Sequence, residues 1–364
     1  MPTPSRQDRG VAIVTVVRRT APLLVTLACT ACGVGQDPLA SPDLWSASST
    51  PAKHQTASSA TTSASQAPSS ARTAATQTTT PHTPAATPAP KPSATQPSQA
   101  TLPRGGREVF PRYRLVGYAG VTGAATLGRL GTGPLNQRVA EIERRAKPYA
   151  ADREILPVVE VIATVVQASS GRDGRHRVRL TDAQIATYHK AARKHRAVML
   201  LNLQPGRSEF ITEAKAFEKW LKEPDVGVAL DPEWAMDPGQ RPGGAYGHTT
   251  GAELDEVSRY LASLVKRYDL PEKIMVYHQV ARSVVRKESG LKDREGVVVV
   301  KSVDGLGPQG PKIITYRMVN KTTPKFVHAG FKLFFTEDRA DGGRLMTPQE
   351  VLALKPRPEY VMHE

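Results

Sequence analysis

The sequence predicts an α/β protein whose folded part is a single (β/α)8 barrel of the TIM type. Eight short apolar runs follow residue 115, segments with helical patterning lie between them, and nineteen of the twenty aromatic residues lie from Phe110 onward. Strands that alternate with helices indicate a parallel sheet. Eight such units in about 250 residues are typical of this barrel. A doubly wound open sheet is the alternative, but no glycine fingerprint of nucleotide-binding folds follows the first run.

The predicted strands are nearly continuous apolar runs, as expected for strands buried on both faces. The predicted helices have an amphipathic or helix-rich pattern, and Thr181 is placed to cap the second of them. Because no helical segment follows the last strand, we expect the segment before the first strand to cover that flank. The strands are predicted at 115–119, 157–164, 198–203, 226–231, 273–279, 297–303, 330–336 and 359–363. The helices are predicted at 136–150, 182–194, 213–221, 252–268, 280–288, 313–320 and 348–354.

Residues 1–32 have the pattern of a bacterial export signal. Four arginines lie between residues 6 and 19, and an apolar stretch follows at 21–31 that is too short to span a bilayer. Thr30-Ala31-Cys32-Gly33 resembles a lipobox, which implies that Cys32 is acylated and becomes the first residue. We therefore expect a lipid-anchored protein on the outer face of the cytoplasmic membrane. A simple secretory signal is the alternative.

Residues 33–103 are expected to be a disordered linker rich in Ser, Thr, Ala and Pro. Between 47 and 103 the only large aliphatic residue is Leu102, and there is no aromatic residue. A segment with so little apolar surface cannot compensate for the entropy lost on ordering. The barrel domain is therefore placed at 104–364, and the linker is expected to hold it away from the membrane.

The charge and the cysteines restrict the possible partners. The chain has a formal charge of +15, and residues 104–364, with 42 basic and 31 acidic residues, carry +11 of it. This favours an anionic partner such as a cell-wall polysaccharide over nucleic acid, because no nucleic-acid-binding signature occurs. Both cysteines, Cys29 and Cys32, precede the barrel, which excludes disulfides and thiolate chemistry in it. We expect a monomer without a cofactor or a metal.

Polar side chains lie at the ends of nearly all the predicted strands. In a (β/α)8 barrel these ends surround one opening, where the active sites of TIM-barrel enzymes lie. The candidates in strand order are Tyr118; Glu160; Asn202 and Gln204; Asp231, Glu233 and Trp234; His278 and Gln279; Asp304; Lys332, Glu337 and Asp338; and His363 and Glu364. Those expected to bind substrate are Trp234, Tyr118, Glu160, Asn202, Gln204, His278 and Asp304.

Among these candidates, the motif Asp231-Pro232-Glu233-Trp234 indicates a chemical function most specifically. Residues two apart on a strand share a face, so the two carboxyl groups are expected to lie together. Two carboxyl groups in one site repel each other when ionised, which raises one pKa and lowers the other. Glycoside hydrolysis uses such a pair, a protonated acid beside an ionised partner. The indole of Trp234 offers a flat apolar face for a sugar ring.

This motif resembles the Asp-x-Glu signature at the end of strand four in chitinase-type glycoside hydrolases and in one class of muramidase barrels. The resemblance implies that Glu233 is the general acid and that Asp231 orients or assists it. The chain departs from the chitinase pattern at Val226 and Ala229, where further Asp residues are usual. It departs from the muramidase pattern at Gly117-Tyr118, where an Asp is usual.

The whole barrel also resembles exported actinobacterial lipoproteins of unassigned activity. The matching segments are 160–164, 203–207, 229–234 with 238–241, and His278-Gln279. This resemblance implies the fold and the location but no activity.

The predicted function is that of a membrane-tethered, cell-wall-facing barrel that hydrolyses envelope polysaccharide. The alternative is a lipoprotein that binds the polysaccharide without cleaving it. The Gly-rich segment 239–251 is interpreted as a loop facing the substrate. A Ser-His-Asp hydrolase is disfavoured because no G-x-S-x-G motif occurs. A metal site is a weaker hypothesis, without ligand spacing to support it, and would draw on Glu160, Asp231, Glu233, His278, Asp304 and His363.

Overall fold

A computed structural model describes residues 99–364, in which eight parallel strands form a closed barrel. The export signal, Cys32 and residues 33–98 of the linker lie outside the described residues. The barrel strands are β1 (Tyr113–Gly120), β2 (Glu154–Val166), β3 (Val198–Leu203), β4 (Val226–Leu230), β5 (Lys273–Gln279), β6 (Val297–Val303), β7 (His328–Leu333) and β8 (Tyr360–His363).

The barrel closes because β1 pairs with both β2 and β8. Tyr118 is in register with Val159 on one side and with His363 on the other. The strands approach closely at Gly117 of β1, where a Cβ would lie 2.1 Å from the carbonyl oxygen of Val158. This closure confirms the predicted fold class and excludes the open sheet.

In the described part of the chain, seven α-helices connect or cover the strands. Three of them begin with a capping box, in which a threonine accepts a hydrogen bond from the backbone three residues later, and Thr181 is one of these as predicted. None of the helices between residues 99 and 364 combines the length and the apolar character that crossing a membrane requires. The helices are α1 (Leu135–Ala146), α2 (Asp182–Lys194), α3 (Phe210–Ala216), α4 (Glu218–Leu221), α5 (Gly251–Tyr268), α6 (Gln309–Val319) and α7 (Pro348–Leu352).

The predicted helix at 280–288 is wrong. The connection from β5 to β6 contains two single 3-10 turns and a two-residue strand, Val285–Arg286, that pairs with Thr249–Thr250. Buried Glu288 fixes this connection, because it accepts a hydrogen bond of 2.6 Å from the Tyr277 hydroxyl and pairs with Lys301 at 2.5 Å. These tertiary contacts override the helical pattern of the segment.

The end of the barrel at which the strands begin, here called the floor, is closed by residues 99–112. Leu102 and Val109 are 2% and 0% exposed and pack with inward-facing apolar residues of the strands, among them Leu115 and Ile274. The side chain of Arg107 fixes the segment by donating to the carbonyl oxygen of Leu270 at 2.8 Å. The folded part therefore begins before residue 104, and Leu102 belongs to the core.

The expectation that this segment covers the flank beside β8 is wrong, because it packs under the barrel instead. On the outer wall between α1 and α7 the described residues leave a cavity of about 490 Å³. It is lined by apolar side chains, among them Leu333 and Met346, and by Glu141, Arg144, Arg145, Tyr149 and His363.

Candidate active site

The strands end around an opening, here called the mouth, which is lined by polar side chains. Alternate residues of each strand point into the barrel, and the inward positions near the floor are apolar, such as Leu156, Val158 and Leu200. Closer to the mouth the inward positions become polar. The side chains brought together there are Glu160, Asn202, Gln204, Asp231, His278, Ser302, Asp304, Lys332 and Tyr360.

His278 of β5 is fully buried at the centre of this group. Its Nδ1 lies 2.7 Å from Oδ2 of Asp304, and its Nε2 lies 3.0 Å from Oε1 of Glu160 and 3.9 Å from Oδ1 of Asp231. Burial opposes the charged ring, but the charges of Asp304 and Glu160 prevail and raise the pKa of His278 well above its usual value. The residue is therefore an imidazolium at neutral pH.

Glu160 of β2 is fully buried and accepts hydrogen bonds from two strands. Asn202 Nδ2 donates to its Oε1 at 2.9 Å, and the hydroxyl of Tyr360 donates to its Oε2. Burial alone would raise its pKa, but His278, Lys332 and the Tyr360 hydroxyl lower it. Glu160 is thus an ionised carboxylate that balances the charge of His278.

Lys332 of β7 supplies the second positive charge. Its Nζ lies 3.2 Å from Oδ2 of Asp304 and 2.6 Å from Oε2 of Glu364. Despite burial, His278 and Lys332 hold the pKa of Asp304 well below its usual range, and the hydroxyl of Ser302 donates to the same carboxylate at 2.7 Å. Two cations, His278 and Lys332, are therefore matched by two buried carboxylates, Asp304 and Glu160.

Asp231 follows β4 and is held by two amides. Asn202 Nδ2 donates to its Oδ1 at 3.1 Å, and Gln204 Nε2 donates to its Oδ2 at 3.3 Å. Burial raises the pKa of Asp231 and outweighs the opposing effects of His278 and Lys332. The sequence predicted that the pKa values of Asp231 and Glu233 move apart, but both are raised.

Glu233 lies in the 3-10 turn Pro232–Trp234 directly after β4. Its Oε2 is buried and has no hydrogen-bond partner among residues 99–364. Burial, together with the charges of Asp231 and Asp304, raises the pKa of Glu233 to about 8. Glu233 therefore holds a proton at neutral pH, and no other described residue uses this oxygen.

The loop that follows folds back onto this turn. The amide of Gly247 donates to the carbonyl oxygen of Glu233 at 2.7 Å. The neighbouring Tyr246 is 50% exposed, and burial and the charge of Glu233 raise its pKa. The Gly-rich loop thus lies beside Glu233, and half-buried Trp234 belongs to the same turn as this glutamate.

A glycine at the mouth allows two further loops to meet. Gly206 has φ +60, and a Cβ at this position would lie 2.3 Å from the carbonyl oxygen of Arg175. The carbonyl oxygen of Gly206 accepts a hydrogen bond of 2.7 Å from the amide of Met236. The loops after β2, β3 and β4 are therefore joined beside Glu233.

The prediction that Tyr118 lies at the mouth and binds substrate is wrong. It points away from the barrel axis, and its hydroxyl donates to Oε1 of Glu141 on α1 at 2.9 Å. His363 also points outward, with its ring stacked on Phe335. Asp338 is paired with Lys312 at 2.9 Å and belongs to the packing beside β7.

Sequence reasoning recognised Lys332 and Glu364 only as strand-end residues, and it missed Ser302 and Tyr360 altogether. The signal for the last two was two-residue spacing. Ser302 precedes Asp304 by two positions, and Tyr360 precedes Glu364 by four, so each pair lies on one strand face.

Within residues 99–364, one group of side chains, His189, Glu223 and Asp225, has the spacing of metal ligands. Arg193 already donates to both carboxylates, at 2.7 Å to Glu223 and 2.8 Å to Asp225. The guanidinium therefore occupies the position that a cation would take. The carboxylates at the mouth are likewise paired with positively charged side chains, those of His278 and Lys332.

Comparison with family models and with curated proteins finds no match. Among solved structures, the chain is similar to a GH18 chitinase from Pseudoalteromonas aurantia. The two are 15% identical, the match covers 69% of this chain and 93% of that chain, and the TM-score is 0.34. None of these comparisons shows a family for this chain.

Proposed function

We propose that the mouth of this barrel is a glycoside-hydrolase site that acts on envelope polysaccharide. In this proposal Glu233 is the proton donor and Asp231 is its partner. The observation that carries the proposal is the free Oε2 of Glu233, on a carboxyl group whose pKa is raised to about 8. A carboxylic acid that remains protonated at neutral pH can protonate a glycosidic oxygen.

The surrounding groups fit the later steps of such a reaction. The proton moves from Glu233 to the leaving oxygen, the bond between that oxygen and the anomeric carbon breaks, and positive charge develops on the sugar ring. The carboxylate of Asp231, oriented by Asn202 and Gln204, would stabilise this charge. A water molecule then adds to the anomeric carbon, and its proton returns to the carboxyl pair.

Binding of the sugar also has candidate groups. Oδ1 of Asn202 is buried and, like Oε2 of Glu233, has no partner in the described part of the chain. Sugar hydroxyls would satisfy such groups, and a buried polar atom without a partner is costly. The indole of Trp234 and the ring of Tyr246 provide faces on which a sugar ring can stack.

The location is proposed from the sequence. The lipobox at Cys32 and the linker after it would hold the barrel outside the membrane, within reach of the cell wall. The excess of basic residues in the barrel domain suits the anionic polymers of that layer.

The experiment is a turnover screen of the protein against cell-wall glycans, with Glu233→Gln and Glu337→Gln as matched variants. Glu337 is a half-buried glutamate on another loop of the mouth and has no role in the proposed reaction. Loss of a general acid typically lowers the rate by about 10²–10⁴-fold. We expect this loss for Glu233→Gln, with sugar binding retained, and an unchanged rate for Glu337→Gln.

Two results would contradict the proposal. If Glu233→Gln keeps its rate within threefold of the parent, Glu233 is not the acid. If the parent binds glycans but cleaves none of them, the protein is the non-catalytic binder that is the alternative function.

A further inference from the structure

We propose that the substrate of this site is an anionic glycan, whose carboxylate or phosphate groups are held by arginines on the loops of the mouth. This inference rests on the proposed function, since it names the class of polysaccharide that the site accepts.

The loops after β2, β3, β4 and β5 carry an excess of positive charge. Eight of their basic residues have no carboxylate within ion-pair distance among residues 99–364. Four acidic residues outside the site itself lack an Arg or Lys partner in the same range, namely Glu209, Asp237, Asp293 and Glu295. The eight basic residues are Arg172, Arg175, Arg207, Arg241, Arg282, Arg286, Lys287 and Lys292.

Two of these arginines are held in place without losing their charge. Arg175 Nη1 donates to the carbonyl oxygen of Arg207 at 3.0 Å, and Arg207 Nη2 donates to the carbonyl oxygen of Gln240 at 2.6 Å. A carbonyl oxygen orients a guanidinium but carries no formal charge to balance it. Both side chains therefore remain cationic and are fixed at the rim of the mouth.

These cations lie on both sides of the proton donor. Met236, three residues after Glu233, donates its amide to Gly206, which directly precedes Arg207. On the opposite edge of this segment, the amide of His248 donates to the carbonyl oxygen of Ala235 at 3.0 Å. Arg286 Nη1 lies 3.0 Å from Nε2 of the same histidine. A glycan that runs past Glu233 therefore meets an arginine on either side.

The charged groups of the interior are buried and largely compensate one another. The charges of Glu160 and Asp304 are balanced by those of His278 and Lys332, as described above, and Glu233 holds a proton at neutral pH because its pKa is raised to about 8. The arginines of the rim are therefore the charged groups most accessible to a glycan, and the planar guanidinium matches both carboxylate and phosphate.

The test measures the affinity of the full chain for three oligosaccharides of equal length. One is a polyuronate, one is a glycan that carries phosphodiesters, and one is a neutral β-glucan. The variants are Arg207→Gln and Arg241→Gln. Arg267→Gln is the matched control, because Arg267 is exposed in the last turn of α5, at the other end of the barrel.

We expect one of the anionic glycans to bind more tightly than the neutral one, with an affinity that falls as salt is added. Loss of a charge-assisted contact typically weakens binding by about tenfold or more. We expect this loss for Arg207→Gln, a smaller loss for exposed Arg241→Gln, and no change for Arg267→Gln. Comparison of the polyuronate with the phosphodiester glycan distinguishes the two anionic groups.

Three results would overturn the inference. These are equal affinity for the neutral and the anionic glycans, an effect of Arg207→Gln no larger than that of Arg267→Gln, and equally tight, Arg207-dependent binding of a single-stranded oligonucleotide. Thermal melts of both variants show whether they fold, and Arg241→Gln removes no hydrogen bond found in the structure. The proposed hydrolysis fails separately, if an anionic glycan binds through Arg207 but is not cleaved.

Discussion

Nδ1 of His278 lies 2.7 Å from Oδ2 of Asp304, and both side chains are nearly inaccessible to water. The pair joins the end of β5 to the residue after β6. The second nitrogen of the same ring contacts Glu160 of β2, so the imidazolium connects carboxylates on opposite sides of the barrel. Loss of this one charge leaves two buried carboxylates without their main partner.

Replacement of His278 by glutamine is expected to lower the free energy of unfolding by about 3–5 kcal/mol, the usual cost of breaking a buried pair. The folded-state pKa of His278 is raised above 6.5. Its stabilising contribution is therefore complete below pH 6.5 and disappears as the pH rises through the folded-state value. Urea unfolding across this range tests both expectations. His195→Gln is the control, and a cost below 1 kcal/mol for His278→Gln would contradict this account.

The proton on Glu233 predicts how activity and stability depend on pH. Because its pKa is raised from 4.5 to about 8, the rate of an acid-catalysed reaction should fall as the pH rises through about 8. Between pH 4.5 and pH 8 the unfolded chain loses this proton while the folded protein keeps it. The stability of the folded state should therefore also fall as the pH rises through this interval. Unfolding measured at pH 4.5 and at pH 8 should show a smaller decline for Glu233→Gln. An identical decline in both proteins would argue against the shift.

Asp231→Asn is expected to lower the pH at which the rate of the reaction begins to fall. The charge of Asp231 is the second cause, after burial, of the raised pKa of Glu233. Without it the rate should begin to fall at a lower pH, and turnover should decrease. The pH profile of kcat/KM measures the shift. Asp237→Asn, on the same loop, should leave the profile in place, and an unmoved limit in Asp231→Asn would mean that the two carboxyl groups do not interact.

Leu102→Ala tests whether the segment before β1 belongs to the fold. Leu102 is 2% exposed in the apolar floor, so its truncation should cost about 2–5 kcal/mol. Leu306 is 48% exposed, and Leu306→Ala should cost less than about 0.5 kcal/mol. Denaturant titration of the two variants decides the matter. Equal stability would place the start of the domain after Leu102.

Cys32→Ser tests the proposed anchor. If Cys32 carries the lipid, this variant should move from the membrane fraction to the soluble fraction, while Cys29→Ser should stay with the membrane. Mass spectrometry of the N-terminal peptide provides an independent measurement. An unmodified peptide that spans Ala31 and Cys32 would rule out lipidation.

The strand pattern was predictable because each strand is an apolar run whose position depends on local sequence alone. Three strands, Val198–Leu203, Lys273–Gln279 and Val297–Val303, coincide with their predicted bounds. The polar residues at the strand ends could be recognised for the same reason, because they interrupt or follow the apolar runs. Asn202, Gln204 and Asp231 contact each other in the structure, as their alternation along the strands indicated.

Other features depend on which face of a strand is turned inward, and this is not readable where both faces are apolar. In β1 the inward set contains Tyr113 and Leu115, and the outward set contains Val116 and Tyr118. The sequence could therefore not show that Tyr118 faces α1. The bond from Tyr360 to Glu160 spans 200 residues and exists only because the barrel closes.

The chain enters the barrel at its floor, on the side opposite the mouth. A bulky group coupled to exposed Gln99 would therefore lie away from Glu233 and would not obstruct it. Immobilisation of the protein through this residue should leave the opening accessible even to a long, insoluble polymer. Attachment near Tyr246 should block it.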